Sequence, residues 1–327
     1  ILAAMAGIGA IPFIGDMAKG TFKALRAGDR SVETVRAGRQ LLEEVDHAER
    51  LWREMHTDSP YFRKWAGEDT PVVNAGDPLP EGPVVIRAYH GTRSARFTEF
   101  DPSLTREELG GMHFGTSDQS IEFTRPGGPP VMPLYIRMNN PLRMRDLGSW
   151  ENDRVLTRSG LNADWYEIST EELIQHVSGP RGYVYMRSWW GRRKDDILAD
   201  LSRGDERTIA LMKMQLYADD IVSRTPTPML KGLSENQRRH AERAIRAKAE
   251  AEFVQKTLQH HGHDGIVYRN TTEGLGRGDN YQDSYIVFEP AKIKSTSNQG
   301  TFDPSNPDIM SAAPASLAGA LGDSSVA

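Results

Sequence analysis

The chain has 327 residues, which is enough for one large domain or two of ordinary size. Apolar residues make up 38% and charged residues 26%, so the composition favours a packed core, and the net charge of −5 disfavours a globally basic nucleic-acid binder. The absence of cysteine excludes disulfides, thiol nucleophiles and Cys-based zinc sites.

The N-terminal stretch, residues 1–15, is uncharged and rich in small residues. It is shorter than the ~20 apolar residues that span a bilayer, and no charged segment precedes it as in a signal peptide. Two interpretations remain: a buried helical hairpin or interdomain plug, or a membrane-active or delivery segment. Residues 11–16 resemble the pretoxin segments ahead of the C-terminal toxin domains of bacterial polymorphic toxins.

The next residues, 29–57, have the apolar spacing of one amphipathic helix, with Leu41, Val45 and Trp52 on its apolar stripe. Prolines and glycines exclude regular helix over residues 58–83. We therefore predict a helical leader over residues 1–58 and a main domain over residues 59–310.

Short strands and one helical block fill the main domain. Strands are predicted at residues 84–89, 111–116, 131–138, 264–268 and 283–288, and a short helix capped by Ser117 at residues 117–124. The block at residues 184–260 carries helix signals, and the low-complexity tail at residues 311–327 is predicted to be flexible. This order predicts an α+β fold.

A long basic amphipathic helix is predicted over residues 233–262. Its basic residues either form a solvated face or bind a polyanion. The residues in question are Arg238, Arg239, Arg243, Arg246 and Lys248. Residues 189–194, two tryptophans followed by basic residues, either cover the core or form a stacking and phosphate patch.

Three elements could carry chemistry. Tyr89-His90-Gly91-Thr92 ends a strand and presents an imidazole beside an unobstructed backbone. His113 lies in a short strand between two glycines. The third element is the Gly-rich segment at residues 273–284, which offers the carboxylates of Glu273, Asp279 and Asp283. It is either a lid or acceptor-recognition loop, or a plain hairpin connection. Each histidine taken alone is more often a structural hydrogen-bonding residue than a catalytic one.

Other kinds of site are not indicated. The glycines at residues 274–278 are followed by no Gly-Lys-Ser/Thr, and they do not lie between a strand and a helix, so they form neither a phosphate loop nor a dinucleotide fingerprint. His260, His261 and His263 lack the spacing of a metal site and are interpreted as a helix C-terminus. No metal is predicted.

Taken together and in order, the three elements resemble ADP-ribosyltransferases of the diphtheria-toxin and poly(ADP-ribose) polymerase type. The closer likeness is to the ADP-ribosyltransferase domains of phage and mobile-element polyvalent proteins and of polymorphic toxins. It covers about residues 59–310. Matching segments also lie at residues 62–67, 132–135, 140–142, 264–268, 292–295 and 300–309.

This resemblance implies a split, bent antiparallel β core with a cleft for NAD, the substrate that donates ADP-ribose. It implies that His90 hydrogen-bonds a ribose hydroxyl, that the backbone of Gly91 pairs with the carboxamide and that Thr92 supports this turn beside Tyr89. His113 takes the position of the tyrosine that stacks on nicotinamide, with Phe114 next to it.

The position of the family's catalytic glutamate falls on Ser284, which has no charge. Three outcomes follow. In the first, Asp283 or Glu273 takes the role of the glutamate. In the second, the chemistry differs, for example as NAD-dependent modification of RNA, and in the third the domain binds NAD without turning it over. We expect an ADP-ribosyltransferase that releases nicotinamide and modifies a protein or nucleic-acid acceptor. The resemblance further implies a secreted, delivered or virion-associated effector that acts in the cytoplasm of a target cell, and a toxin of this kind would need an immunity protein. The length of residues 1–15 predicts no stable membrane span.

Overall fold

A computed structural model describes residues 32–92, 97–102, 109–124, 131–179, 193–225, 232–273 and 281–310. The α-helices in these ranges are α1 (Val32–Met55), α2 (Pro60–Ala66), α3 (Ser117–Ile121), α4 (Asn152–Ser159), α5 (Thr170–Ser178), α6 (Lys194–Ser202), α7 (Glu206–Arg224) and α8 (Glu235–His260). The strands are β1 (Val72–Asn74), β2 (Val84–His90), β3 (Met112–Phe114), β4 (Met132–Met138), β5 (Leu142–Arg145), β6 (Gly265–Arg269), β7 (Asp283–Val287) and β8 (Ile293–Ser295).

The mixture of helices and strands confirms the predicted α+β class. The prediction of no regular helix over residues 58–83 is wrong, because α2 begins at Pro60, and proline is tolerated in the first turn of a helix. The chain forms two compact units: Ile1–Asp101, His113–Asn139 and Thr272–Ala327 make the first, and Pro102–Met112 with Asn140–Thr271 make the second. The second unit is thus inserted within the sequence of the first. The predicted helical block at residues 184–260 falls inside this insertion.

A sheet with strand order β1-β2-β4-β8 forms the centre of the first unit. The β2–β4 and β4–β8 pairs are antiparallel, as the resemblance implies, whereas β1 runs parallel to β2. The strand pairing is therefore mixed. In β2, the consecutive residues Val84–Ile86 are all buried. Such a run without alternation is typical of a strand that is covered on both faces.

Helix α1 packs against the residues that follow it. Trp52 belongs to the same buried cluster as Phe62, Trp65 and Phe302, and its ring centroid lies 4.6 Å from that of Phe302. Gly300 also lies against α1, because a Cβ atom there would be 2.4 Å from the carbonyl oxygen of Ala48. The helix and the end of the described chain thus share one core, while the domain boundary near residue 58 stays a prediction.

The second unit is mainly helical. A cluster of apolar side chains from α5, α6 and α7 forms part of its core: Leu173, Val177, Ile197, Leu201 and Met212. Helices α7 and α8 are linked by a buried hydrogen bond from Gln215 Nε2 to Glu250 Oε1, 3.1 Å long. Strands β5 and β6 pair in parallel in the same unit.

Candidate active site

The strand that ends in His90 is fixed along its whole length. β2 pairs with β4 from Val84 opposite Met138 to His90 opposite Met132. On its other side, Tyr89 and Gly115 exchange two backbone hydrogen bonds of 2.9 and 3.1 Å. The end of β2 is therefore held against the end of β3, which carries His113.

The His90 ring has a defined orientation and proton. Its Nδ1 lies 2.9 Å from the carbonyl oxygen of His113, and since a carbonyl only accepts, Nδ1 is the protonated nitrogen. The rings of Phe97, Phe100 and Phe114 surround the imidazole with centroid distances of 6.3, 5.0 and 5.6 Å. Burial lowers the pKa of His90, and the hydrogen bond to His113 opposes this only in part. The ring is thus neutral near pH 7, and Nε2 carries the lone pair of a hydrogen-bond acceptor.

His113 is neutral at the same pH. Burial, together with the neighbouring His90, lowers its pKa to about 4. A tyrosine at this position would also offer a flat, uncharged ring. The histidine that the resemblance places at the tyrosine position therefore carries no positive charge at neutral pH.

The packing around Gly91 leaves no room for a side chain. A Cβ atom there would lie 2.0 Å from the carbonyl oxygen of Ser120 and 2.9 Å from Cβ of Phe123. The Ser120 hydroxyl also donates a 2.8 Å hydrogen bond to the carbonyl of Tyr89. Helix α3 thus packs directly on the end of β2, and the partly exposed ring of Phe123 lies beside Gly91. Thr92, next in the chain, is buried.

The residue that caps helix α3 lies one position before the predicted one. The N-cap is Thr116, not Ser117, and it forms a capping box with Gln119. The Thr116 N–H donates to Gln119 Oε1 at 2.8 Å. Gln119 Nε2 in turn donates to the carbonyl oxygen of Gln282 at 3.2 Å. The sequence alone did not indicate Gln119, which links the start of α3 to the residue before β7.

Strand β7 brings the third element to the site, because it lies next to β3 in the sheet. Its first residue, Asp283, is partly exposed, whereas the four that follow are buried. Ser284 is only 3% exposed. Strand order therefore places the Asp283–Ser284 pair on the neighbour of the strand that carries His113.

The remaining predicted features are Glu273, the two basic patches and the chain ends. Glu273 is partly buried and borders residues 274–280, which lie outside the described residues. Residues 1–31, 189–192 and 311–327 also lie outside them. On α8, Arg238, Arg243 and Lys248 are exposed, while Arg239 pairs with Glu235 and Arg246 with Asp219. These basic residues belong to the second unit.

The described residues also bear on two other kinds of site. They contain no group of three or more His, Asp or Glu side chains placed to hold a metal ion. In the same part of the chain, none of the helices combines the length and the apolar character needed to cross a bilayer.

The part of the chain that holds these elements matches a known family. Residues 81–302 match the family model described as ADP-ribosyltransferase in polyvalent proteins. Curated proteins and solved structures give no significant match. The matched range contains the His90 strand end, the His113 strand and the Asp283 strand, and it covers more than half of the chain. The chain therefore belongs to the ADP-ribosyltransferase family of polyvalent proteins.

Proposed function

We propose that this domain transfers ADP-ribose from NAD to a macromolecular acceptor and releases nicotinamide. The observation that carries the proposal is the His90–His113 hydrogen bond, which leaves a neutral imidazole with Nε2 as an acceptor at the end of β2. A ribose hydroxyl is a donor that such an acceptor fits.

The chemistry sets three requirements. The bond between nicotinamide and ribose breaks with oxocarbenium character, so the protein must hold the ribose, orient it and stabilise developing positive charge. His90 meets the first requirement through Nε2, and the backbone of Gly91 would pair with the carboxamide. His113 and Phe114 supply flat rings next to the same strand end.

Charge stabilisation is assigned to Asp283. It is the partly exposed residue of β7, and its strand neighbours that of His113. Ser284, at the position of the family's glutamate, is buried and uncharged. Of the three candidates Asp283, Ser284 and Glu273, only the first combines a carboxylate with a place on β7.

The test follows nicotinamide released from NAD by the full chain. We expect the wild type to release it and His90→Ala to lose at least about 100-fold in kcat/KM, the scale of losing one preorganised polar group. Asp283→Asn keeps the size but removes the charge, and we expect a similar loss. Ser284→Ala is the matched neighbour and should stay within about threefold. Unchanged turnover in His90→Ala would overturn the site assignment.

A second function, NAD binding without turnover, is favoured by the uncharged Ser284. It predicts that NAD raises the melting temperature of the wild type while no nicotinamide appears with any acceptor mixture. A thermal shift measured beside the release assay separates the two functions.

The acceptor class is open to a direct test. The exposed Arg238, Arg243 and Lys248 of α8 support RNA as one acceptor. We expect such binding to weaken steeply with salt. Replacing all three by Gln should abolish an RNA gel shift if RNA is the acceptor and leave modification of a protein acceptor unchanged if it is not.

A further inference from the structure

Gln119 lies inside the first unit, in the first turn of α3, and is 3% exposed. Both ends of its amide are used. Oε1 accepts from the Thr116 N–H at 2.8 Å, and Nε2 donates to the Gln282 carbonyl at 3.2 Å. Since an N–H requires an acceptor and a carbonyl requires a donor, these two partners fix the orientation of the amide.

The two partners belong to the two sides of the candidate site. Thr116 follows Gly115, whose backbone pairs with Tyr89, the neighbour of His90. Gln282 immediately precedes Asp283. One buried side chain therefore joins the strand end that carries His90 to the start of the strand that carries Asp283.

Gly115 shows how closely this link is built. A Cβ atom at Gly115 would lie 2.4 Å from Gln119 Oε1 and 3.2 Å from its Cβ. A side chain at this position would push the amide away from both of its partners. The absence of a side chain at residue 115 is therefore part of the link.

We propose that Gln119 is a positioning residue of the transferase site, which holds the Asp283 end of β7 in place relative to His90 and His113. This inference rests on the proposed function, since the positioned carboxylate is the group that we assign to charge stabilisation. Gln119 acts through Gln282 and Asp283, not on the substrate. Its contribution is to the rate of the chemical step, not to NAD binding.

The chain contains a matched control. Gln237 occupies the same third position in the capping box of α8, with Oε1 2.9 Å from the Ser234 N–H, but it is exposed. A Gln→Glu change at either site keeps the size and the capping acceptor. At residue 119 it also removes the donor to Gln282 and sets a carboxylate against that carbonyl.

The experiment measures two quantities on the full chain. The first is NAD cleavage: we expect Gln119→Glu to lower kcat at least about tenfold with KM for NAD within about twofold, and Gln237→Glu to change neither. The second is amide hydrogen exchange over residues 281–288: we expect exchange at least about tenfold faster in Gln119→Glu and unchanged in Gln237→Glu.

Gly115→Ala is the second variant, because it displaces the amide while Gln119 itself is kept. It should reproduce both effects. The inference is overturned if amide hydrogen exchange over residues 281–288 is unchanged in both Gln119→Glu and Gly115→Ala. This holds whether or not the wild type cleaves NAD. An inactive wild type overturns the proposed function alone, and in that case the exchange measurement decides the role of Gln119. A raised KM with an unchanged kcat would also contradict positioning of Asp283.

Discussion

The Nδ1 atom of His90 lies 2.9 Å from the carbonyl oxygen of His113, and this contact decides how the histidine can act. The proton must be on Nδ1, so Nε2 carries the lone pair. The same contact joins two segments 23 residues apart in sequence. Protonation of His90 at Nε2 would therefore remove the acceptor but keep the Nδ1 hydrogen bond that joins these segments.

The first prediction concerns acid stability. Burial and His90 lower the pKa of His113 from its usual 6.5 to about 4. Between these values the unfolded chain binds more protons than the folded chain, so the free energy of unfolding falls as the pH drops from 6.5 to 4. We expect a loss of up to about 3 kcal/mol from this residue.

Urea unfolding at pH 7, 5.5 and 4.5 checks this prediction. His113→Gln removes the titrating group, so its stability should depend less on pH than that of the wild type. His240→Gln is the control, because His240 lies in α8 and is exposed. An identical pH dependence in the wild type and His113→Gln would contradict the assignment.

The second prediction concerns Gly91. In Gly91→Ala the new Cβ atom would meet the backbone carbonyl of Ser120 at 2.0 Å, so β2 or α3 must shift. We expect a loss of about 1–3 kcal/mol in stability, as for other overpacked sites. Nicotinamide release should fall with it, because the shift moves the end of β2.

Gly179→Ala is the appropriate comparison for this variant. Gly179 has φ −68°, and a Cβ atom there would be 3.3 Å from its nearest neighbour, the carbonyl of His176. We expect a change within about 1 kcal/mol. Equal effects of the two substitutions on the urea midpoint would show that α3 does not press on Gly91.

Much of the secondary structure was predictable because it follows local periodicity. The helix expected at residues 29–57 is Val32–Met55, the one at 233–262 is Glu235–His260, and the strand at 131–138 is Met132–Met138. The order of the three site elements was also predictable from the sequence, because each element contains a short recognisable motif.

The contacts that assemble the site were not predictable. Thr116 and Gln119 have the spacing of a capping box, so their local bond could have been found. The bond from Gln119 to Gln282 spans 163 positions and leaves no local pattern. The sequence predicts that Gly91 leaves space for a ligand, and the structure adds a second reason for the glycine, because Ser120 from another element excludes a side chain.

The third prediction concerns the packing of α1. Trp52 contributes a buried ring to the cluster with Phe62, Trp65 and Phe302. Trp52→Ala should cost about 3–5 kcal/mol, the usual range for deleting a large buried aromatic side chain. Arg53→Ala, on the exposed side of the same helix turn, should change the unfolding free energy by less than about 1 kcal/mol. Similar midpoints for the two variants would show that α1 is not part of this core.

The fourth prediction concerns Lys294, which is fully buried in β8. Its Nζ donates to the carbonyl oxygens of Asn306 and Asp308, the latter at 3.2 Å. Burial lowers its pKa from 10.5 to about 8, although Asp303 and Asp308 oppose this shift and Arg137 adds to it. The folded chain therefore holds this ammonium less readily than the unfolded chain does.

The free energy of unfolding should change with pH in the opposite direction to that expected for a lysine in a favourable ion pair. Below pH 8 both states are protonated, and between pH 8 and 10.5 only the unfolded state is, so the stability of the wild type should rise with pH through this window. Relative to Lys294→Met, the gain should approach about 3 kcal/mol. A neutral amine still has two N–H groups for the two carbonyls, so deprotonation does not break the contact.

Urea unfolding of the wild type and Lys294→Met from pH 7.5 to 10.5 measures this difference in stability, with Lys248→Met as the exposed control. A difference between wild type and Lys294→Met that stays constant with pH would mean that the Lys294 ammonium is solvated as well in the folded chain as in the unfolded one.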